Sequence, residues 1–252
     1  MAIRVDLMVR TFAPALAAAA MAALTACNSA PSFFNSAQGV TLAELDMTGE
    51  APRSVALAGP DRVLVSDGDE FDIAVDGPPS SAEDLRFLLE DGGLKISSLS
   101  GSESATIATI RVTLPEPPNE LTIAGSGQIV ADRLASTAEI AVAGSGTVET
   151  PNVAADFLEV SIAGSGTYRG AGSAQKLELN VAGSGEIDLA GLTADRVDVS
   201  IAGSGDAVFA SDGEVSASIM GSGDVTVRGS ARCTVDSMGS GTLTCERGVD
   251  EG

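Results

Sequence analysis

The chain has 252 residues and a formal net charge of −21, from 35 acidic and 14 basic side chains, with no His, no Trp, one Tyr and seven Phe. A polyanion so poor in rings is unsuited to nucleic acid, whose phosphates need Lys and Arg and whose bases need stacking partners. The absence of His removes imidazole acid–base chemistry and the commonest zinc ligand.

Residues 1–26 read as a targeting segment. Arg4 and Arg10 give a basic start, and the apolar run from Phe12 to Leu24 is too short to span a bilayer comfortably as a helix. The run ends in Leu24-Thr25-Ala26-Cys27, which resembles a bacterial lipobox. That resemblance implies removal of residues 1–26, acylation of Cys27 and attachment to a membrane through the lipid. The absence of Asp after Cys27, where Asn28 and Ser29 stand, implies by the same resemblance the outer membrane of a Gram-negative cell. An ordinary secretory signal with a chance Cys is the other reading. A chain this acidic is repelled by anionic surfaces, so the lipid must do the anchoring. Residues 27–39 are rich in Ser, Asn and small side chains and read as a tether, with Phe33 and Phe34 expected to pack on a neighbour or dip toward lipid.

From residue 40 onward short apolar alternations bounded by Gly, Pro and Asp predict strands, as in RVLVSDGDEFDIAV (62–75) and ATIATIRVTL (105–114). SSAEDLRFLLEDGG (80–93) is the one stretch read as a helix or helical turn, with Ser80 or Ser81 as its cap and the Gly pair as its stop.

The dominant feature is a Gly-Ser-Gly triplet in seven copies, beginning at Gly125, Gly144, Gly164, Gly183, Gly203, Gly221 and Gly239 and spaced by 18 to 20 residues. Around each copy alternate columns are apolar. Two residues before the triplet stand Ile123, Val142, Ile162, Val181, Ile201, Ile219 and Ser237; two after its end stand Ile129, Val148, Tyr168, Ile187, Ala207, Val225 and Leu243. Such alternation is the period of a strand with one buried face. No single rung can bury that face, but stacked rungs make each column a continuous ladder. The prediction is an all-β solenoid of about 19 residues per rung and about 4.8 Å rise per rung, giving a rod about 34 Å long over seven rungs.

Gly-Ser-Gly is then the corner between sheets. It requires Gly125, Gly127, Gly144, Gly146, Gly164, Gly166, Gly183, Gly185, Gly203, Gly205, Gly221, Gly223, Gly239 and Gly241 because a corner position takes φ > 0. The seven Ser hydroxyls are expected to stack and hydrogen-bond along the corner. The Ala before each triplet (Ala124, Ala143, Ala163, Ala182, Ala202) suggests little room there, and its change to Met220 and Met238 marks the last two copies as capping rungs.

The opening VALAGPDRVLVSDGDEFDIAV, the GGLKIS segment (92–97), the junction RVTLPEPPNELTIAGSG (111–127) and the triplet run together resemble the putative auto-transporter adhesin head GIN domain family over residues 40–245, and the domain is set at 40–248. The resemblance implies a right-handed, single-stranded, pectin-lyase-like β-helix, no recognisable catalytic set, and a role in cell adhesion.

Five residues before the triplets an outward column reads Glu120, Glu139, Glu159, Glu178 and Asp198, then Ser216 and Thr234. In register, neighbouring carboxylates repel by about 0.9 kcal/mol in water at the rung spacing. The stripe suits a divalent cation or a basic partner; the alternative is a solvated face that keeps sheets from sticking. Calcium has weaker support elsewhere, from Asp206, Asp224 and Glu186 just after triplets and from Asp67, Asp69 and Asp72, none of which completes a calcium-loop pattern. Seven equivalent Ser residues and no base argue against a nucleophile. A carbohydrate-active site of paired carboxylates needs basic residues to hold an acidic sugar, and the chain offers only Lys95, Lys176 and scattered Arg. The expectation is a protein that is not an enzyme and needs no cofactor, with an unidentified surface or envelope ligand. A periplasmic structural or regulatory component is the alternative. Cys233 and Cys245 fall in inward columns of the last rung and are expected to pair in an oxidising compartment, provided the rod tapers enough to bring their Cα atoms within about 7 Å.

Overall fold

The computed structural model describes residues 39–77, 79–99 and 107–246. The chain divides into two units, Met1–Asn35 and Ser36–Gly252, and every described residue belongs to the second. The signal peptide, Cys27, the two tether Phe and residues 247–248 lie outside the described residues.

The fold is an all-β solenoid of about 19 residues per turn, its strands hydrogen-bonded into one continuous parallel stack. After the triplet corners come β10 (Thr147–Gly164), β11 (Thr167–Gly183), β12 (Glu186–Gly203) and β13 (Asp206–Gly221). Each runs from one triplet to the next and bends on the way, where the register slips, for example between Thr150 and Val153. Every rung therefore has a face that follows a triplet, a short side near Val153, Gly172 and Leu192, and a face that leads into the next triplet. Shorter strands build the flanking rungs: β7 (Glu120–Gly125), β8 (Gln128–Ala131) and β9 (Thr137–Gly144) on one side, β14 (Asp224–Arg228), β15 (Arg232–Gly239) and β16 (Thr242–Glu246) on the other.

The columns read from the sequence are the core. Ile123, Val142, Ile162, Val181, Ile201 and Ile219 are all at most 3% exposed, covered by aliphatic neighbours in register except at Ile219, which has Ser237 on the last rung. Volumes are balanced between adjacent inward columns. Tyr168 is followed two residues on by Gly170, where a Cβ would stand 3.0 Å from the phenol oxygen; Phe209 follows the small Ala207. The Tyr168 hydroxyl, fully buried, shares a 2.6 Å hydrogen bond with Thr150 Oγ1 on the rung beneath. Burial pushes its phenol up to about 12, and the Thr150 hydrogen bond opposes that shift.

Two further parallel rungs precede the triplets and are laid down out of chain order. β1 (Ser54–Ala58) sits between β5 (Gly93–Ser98) and β7, and β2 (Arg62–Asp67) between β6 (Thr109–Leu114) and β8. The chain makes one rung, passes beneath it to make another, and then climbs over the first. Antiparallel strands close this end: β3 (Asp72–Asp76) on β6 and β4 (Leu85–Glu90) on β5, with Val40 bridging to Phe87.

The helix expected over 80–93 is confined to α1 (Pro79–Asp84); the remainder is the β4–β5 hairpin. Leu85 and Phe87 are buried at strand period, and the turn is Asp91-Gly92, with φ of 52° and 73°. Two consecutive left-handed residues make the mirror-image turn that suits the twist of a hairpin. The Gly that reads as a helix stop therefore serves a turn between strands. The capping expected of Ser80 or Ser81 lies outside the described side chains.

Candidate binding surface

The corner assigns the two glycines of each triplet different tasks. The first glycine has φ between 121° and 138° in all seven copies. A Cβ there would fall on the backbone of the equivalent glycine one rung down, at Gly164 within 2.5 Å of the Gly144 oxygen. The second glycine faces inward, and at Gly185 a Cβ would lie 2.5 Å from Ile162 Cγ2. Between them the serine backbone N–H donates to the glycine carbonyl beneath, as from Ser184 to Gly164 at 2.8 Å. The serine hydroxyls do not form the expected ladder. All seven side chains are exposed, and among the described residues none has a hydrogen-bond partner, because they point into water, away from one another's backbones.

The Ala column is likewise corrected. Ala143, Ala163, Ala182 and Ala202 are exposed, and Met220 and Met238 in the same column are 49% and 76% exposed, so the position is not short of room. An eighth corner escapes the triplet pattern. Gly59-Pro60-Asp61 stands in register beneath the first triplet, with Gly59 at φ 142°. Its signal is the Leu57-Ala58-Gly59 run, which repeats the apolar-Ala-Gly lead of the triplets. Asp61 is buried, and its Oδ1 accepts the Ala108 N–H at 2.9 Å.

The stack holds the five carboxylates in one line. Glu120 faces Glu139, Glu139 faces Glu159, Glu159 faces Glu178 and Glu178 faces Asp198, each one rung apart. Beyond Asp198 the column continues with Ser216 and Thr234. The stripe divides electrostatically. Lys176 places its ammonium 3.4 Å from Glu178 and 3.9 Å from Asp198 while lying 5.1 Å over the Phe157 ring. Glu120, Glu139 and Glu159 have no ion pair among the described residues. The Glu139 carboxyl accordingly sits above the ordinary carboxylate range, pushed first by partial burial and then by Glu159 and Glu120 on either side.

The other acidic candidates are used in structure. Asp206 Oδ1 accepts the Asp224 N–H, and Asp224 Oδ1 accepts both the N–H and the hydroxyl of Thr242, so two carboxylates staple successive rungs. Glu186 shares their column. Asp67 pairs with Arg133, while Asp69 stays exposed in the bend after β2 and Asp72 stays exposed at the start of β3. Among the described residues no three acidic, Cys or His side chains converge as a metal site. Lys95 pairs with Glu90 at 3.6 Å, away from the stripe. Cys233 and Cys245 are joined by a disulfide across the last rung, with their Cα atoms 6.7 Å apart, closer than facing sheets normally lie.

A stack of glycine-cornered rungs that exposes repeated side-chain columns defines a repeat protein of the β-solenoid class. Within it, the chain belongs to the family described as putative auto-transporter adhesin, head GIN domain, whose model matches residues 51–231. Solved structures share the fold. A putative adhesin from Bacteroides fragilis is 21% identical with a TM-score of 0.73, over 78% of this chain and 93% of that one. A putative lipid binding protein from Parabacteroides distasonis is 23% identical at 0.65, over 79% and 94%. A putative adhesin from Parabacteroides merdae is 19% identical at 0.63, over 83% and 95%. No curated protein matches the chain.

Proposed function

We propose that the chain is an exported, lipid-anchored outer-membrane protein that acts by binding, without catalysis, and presents its acidic solenoid surface for adhesion. The domain plan follows the sequence reading: a signal peptide over 1–26, a tether over 27–39 anchored through Cys27, and the solenoid over 40–248. The observation that carries the binding surface is the in-register line of Glu120, Glu139 and Glu159, which have no ion pair among the described residues. A fold choosing side chains for stability alone gains nothing from like charges at the rung spacing. A basic partner or a divalent cation bridging the carboxylates relieves that repulsion on binding. The adhesin family and the adhesin-named structures support the same class of role.

The test is antibody labelling of intact cells that carry a C-terminal epitope tag, with Cys27→Ala as the anchoring control. Labelling without permeabilisation, lost in Cys27→Ala cells, is the expected result. Signal only after permeabilisation would replace adhesion by a structural or regulatory role in the periplasm.

A further inference from the structure

The two ends of the stack are finished differently. At the β4 end the last strands, β3 and β4, run antiparallel to their neighbours, and Val40 bridges to Phe87 on β4. At the other end β15 and β16 are the last strands, each paired on one side only, to β13 and β14. The inward column there is uncovered. Val235 is 46% exposed, whereas Ala217, its register partner one rung in, is 2% exposed.

β15 also carries a charge pattern that is complementary to its own reverse. Arg232 and Asp236 stand at equal distance on either side of Thr234, all three on the outward face of the strand. A second β15 laid antiparallel and centred on Thr234 places each Arg232 opposite the other copy's Asp236, and each Cys233 opposite the other copy's Val235. The hydrogen-bond phase agrees. In this column the backbone N–H turns toward the rung beneath, as Glu139 donates to Asn119. Thr234, in that column, therefore turns inward, and the N–H and C=O groups of Cys233 and Val235 face out of the open end. The pairing then makes Cys233–Val235 the hydrogen-bonded pairs and Arg232–Asp236 the closely spaced non-hydrogen-bonded ones, where cross-strand charges interact best.

We propose that the β15 end is a homophilic docking surface, whose occupant is the same end of a second copy related by a twofold axis. Because the contact is isologous, the same edge on both copies, association through it closes at two copies and does not run on into a filament. The disulfide between Cys233 and Cys245 fixes the last rung before docking. The inference deepens the adhesion reading, on which it rests, by naming a second copy of the chain as the partner. The contact is small, so single pairs are weak, and many copies on a surface add their effects.

The purified full chain carrying Cys27→Ser, to keep it unacylated, is followed by sedimentation equilibrium up to about 100 µM. A dimer is expected, weakened about tenfold or more by Asp236→Arg or Arg232→Asp alone, because each swap sets like charges opposite one another at two places. The double swap of Arg232→Asp with Asp236→Arg restores the dimer, since it rebuilds complementary pairs. Circular dichroism shows whether each variant stays folded, and an unfolded single variant is replaced by Asp236→Asn, for which a weaker loss is expected. A monomer over the whole range, or a dimer indifferent to the single swaps, would overturn the inference. Either result leaves the surface-labelling outcome untouched, and periplasmic labelling leaves the dimer untouched, so the two readings fail separately.

Discussion

The corner makes a prediction that separates its three residues. Gly183 has φ 126°, and a Cβ there meets the Gly164 carbonyl of the rung beneath. Gly183→Ala therefore adds backbone strain of about 1–3 kcal/mol to steric crowding of about 1–3 kcal/mol. Gly185→Ala has no left-handed strain, and its methyl lands 2.5 Å from Ile162 Cγ2, so only crowding applies, about 1–3 kcal/mol. Ser184→Ala removes an exposed hydroxyl without a partner and stays within about 0.5 kcal/mol. At about 2–4 °C per kcal/mol for a domain of this size, melting temperature falls by roughly 10 °C for Gly183→Ala, less for Gly185→Ala, and hardly at all for Ser184→Ala. Scanning calorimetry on the three variants gives the order. A double-mutant cycle supplies the cause: Ile162→Ala opens the space that the added methyl at position 185 needs, so Gly185→Ala should cost less in that background, while Gly183→Ala, which meets backbone, should cost the same. A Ser184→Ala variant as unstable as Gly183→Ala, or a cycle without coupling at Gly185, would refute the division of labour.

Tyr168→Phe leaves the buried Thr150 hydroxyl unpaired, costing about 1–3 kcal/mol. Adding Thr150→Val removes both polar groups and should recover part of the loss in the same melting assay. Glu139 tests the stripe. Its folded pKa lies above its ordinary value of 4.5, so the folded state holds the proton more tightly than the unfolded state. Protonation therefore adds stability as pH falls through the raised folded pKa toward 4.5, and that contribution is lost again as pH rises. Glu139→Gln should melt higher than the parent at pH 7, with the gap narrowing as pH is lowered toward 4.5 or salt is raised. A gap that ignores both pH and salt would remove the repulsion from the account.

Much of this is legible because a stacked repeat converts sequence spacing directly into neighbourhood. The five stripe residues sit 19 or 20 positions apart in sequence and one rung apart in space, so their register follows from counting. Counting fails wherever the chain breaks its own order. Nothing in the residues of β1 says that β5 will slide beneath it, because a parallel strand makes the same ladder with whichever neighbour arrives. The β4 segment reads as helix because Ser80 or Ser81 offers a cap and the Gly pair a stop, although Leu85, Phe87 and Leu89 are separated by single residues, the period of a strand. The hairpin with β5 settles it through burial and the Asp91-Gly92 turn. The Ser and Ala columns mislead for one reason: a repeated residue suggests a contact, whereas repetition also arises where any small outward residue serves.

That distinction carries into function. Columns constrained by packing are those whose replacement is blocked by a named neighbour, such as the second glycines against Ile123, Val142, Ile162 and Val181. Outward columns have no such neighbour, so sterics do not select their repeats. Among them the serine, alanine and carboxylate columns all repeat, but only the carboxylates repeat at a cost, since Glu139 is held above its ordinary pKa by its partial burial and its own column. The column runs through five rungs, pairs with Lys176 only at Glu178 and Asp198, and stops at Ser216 where the stack goes on, so it is the outward pattern that packing does not explain and that the proposed partner is invoked for.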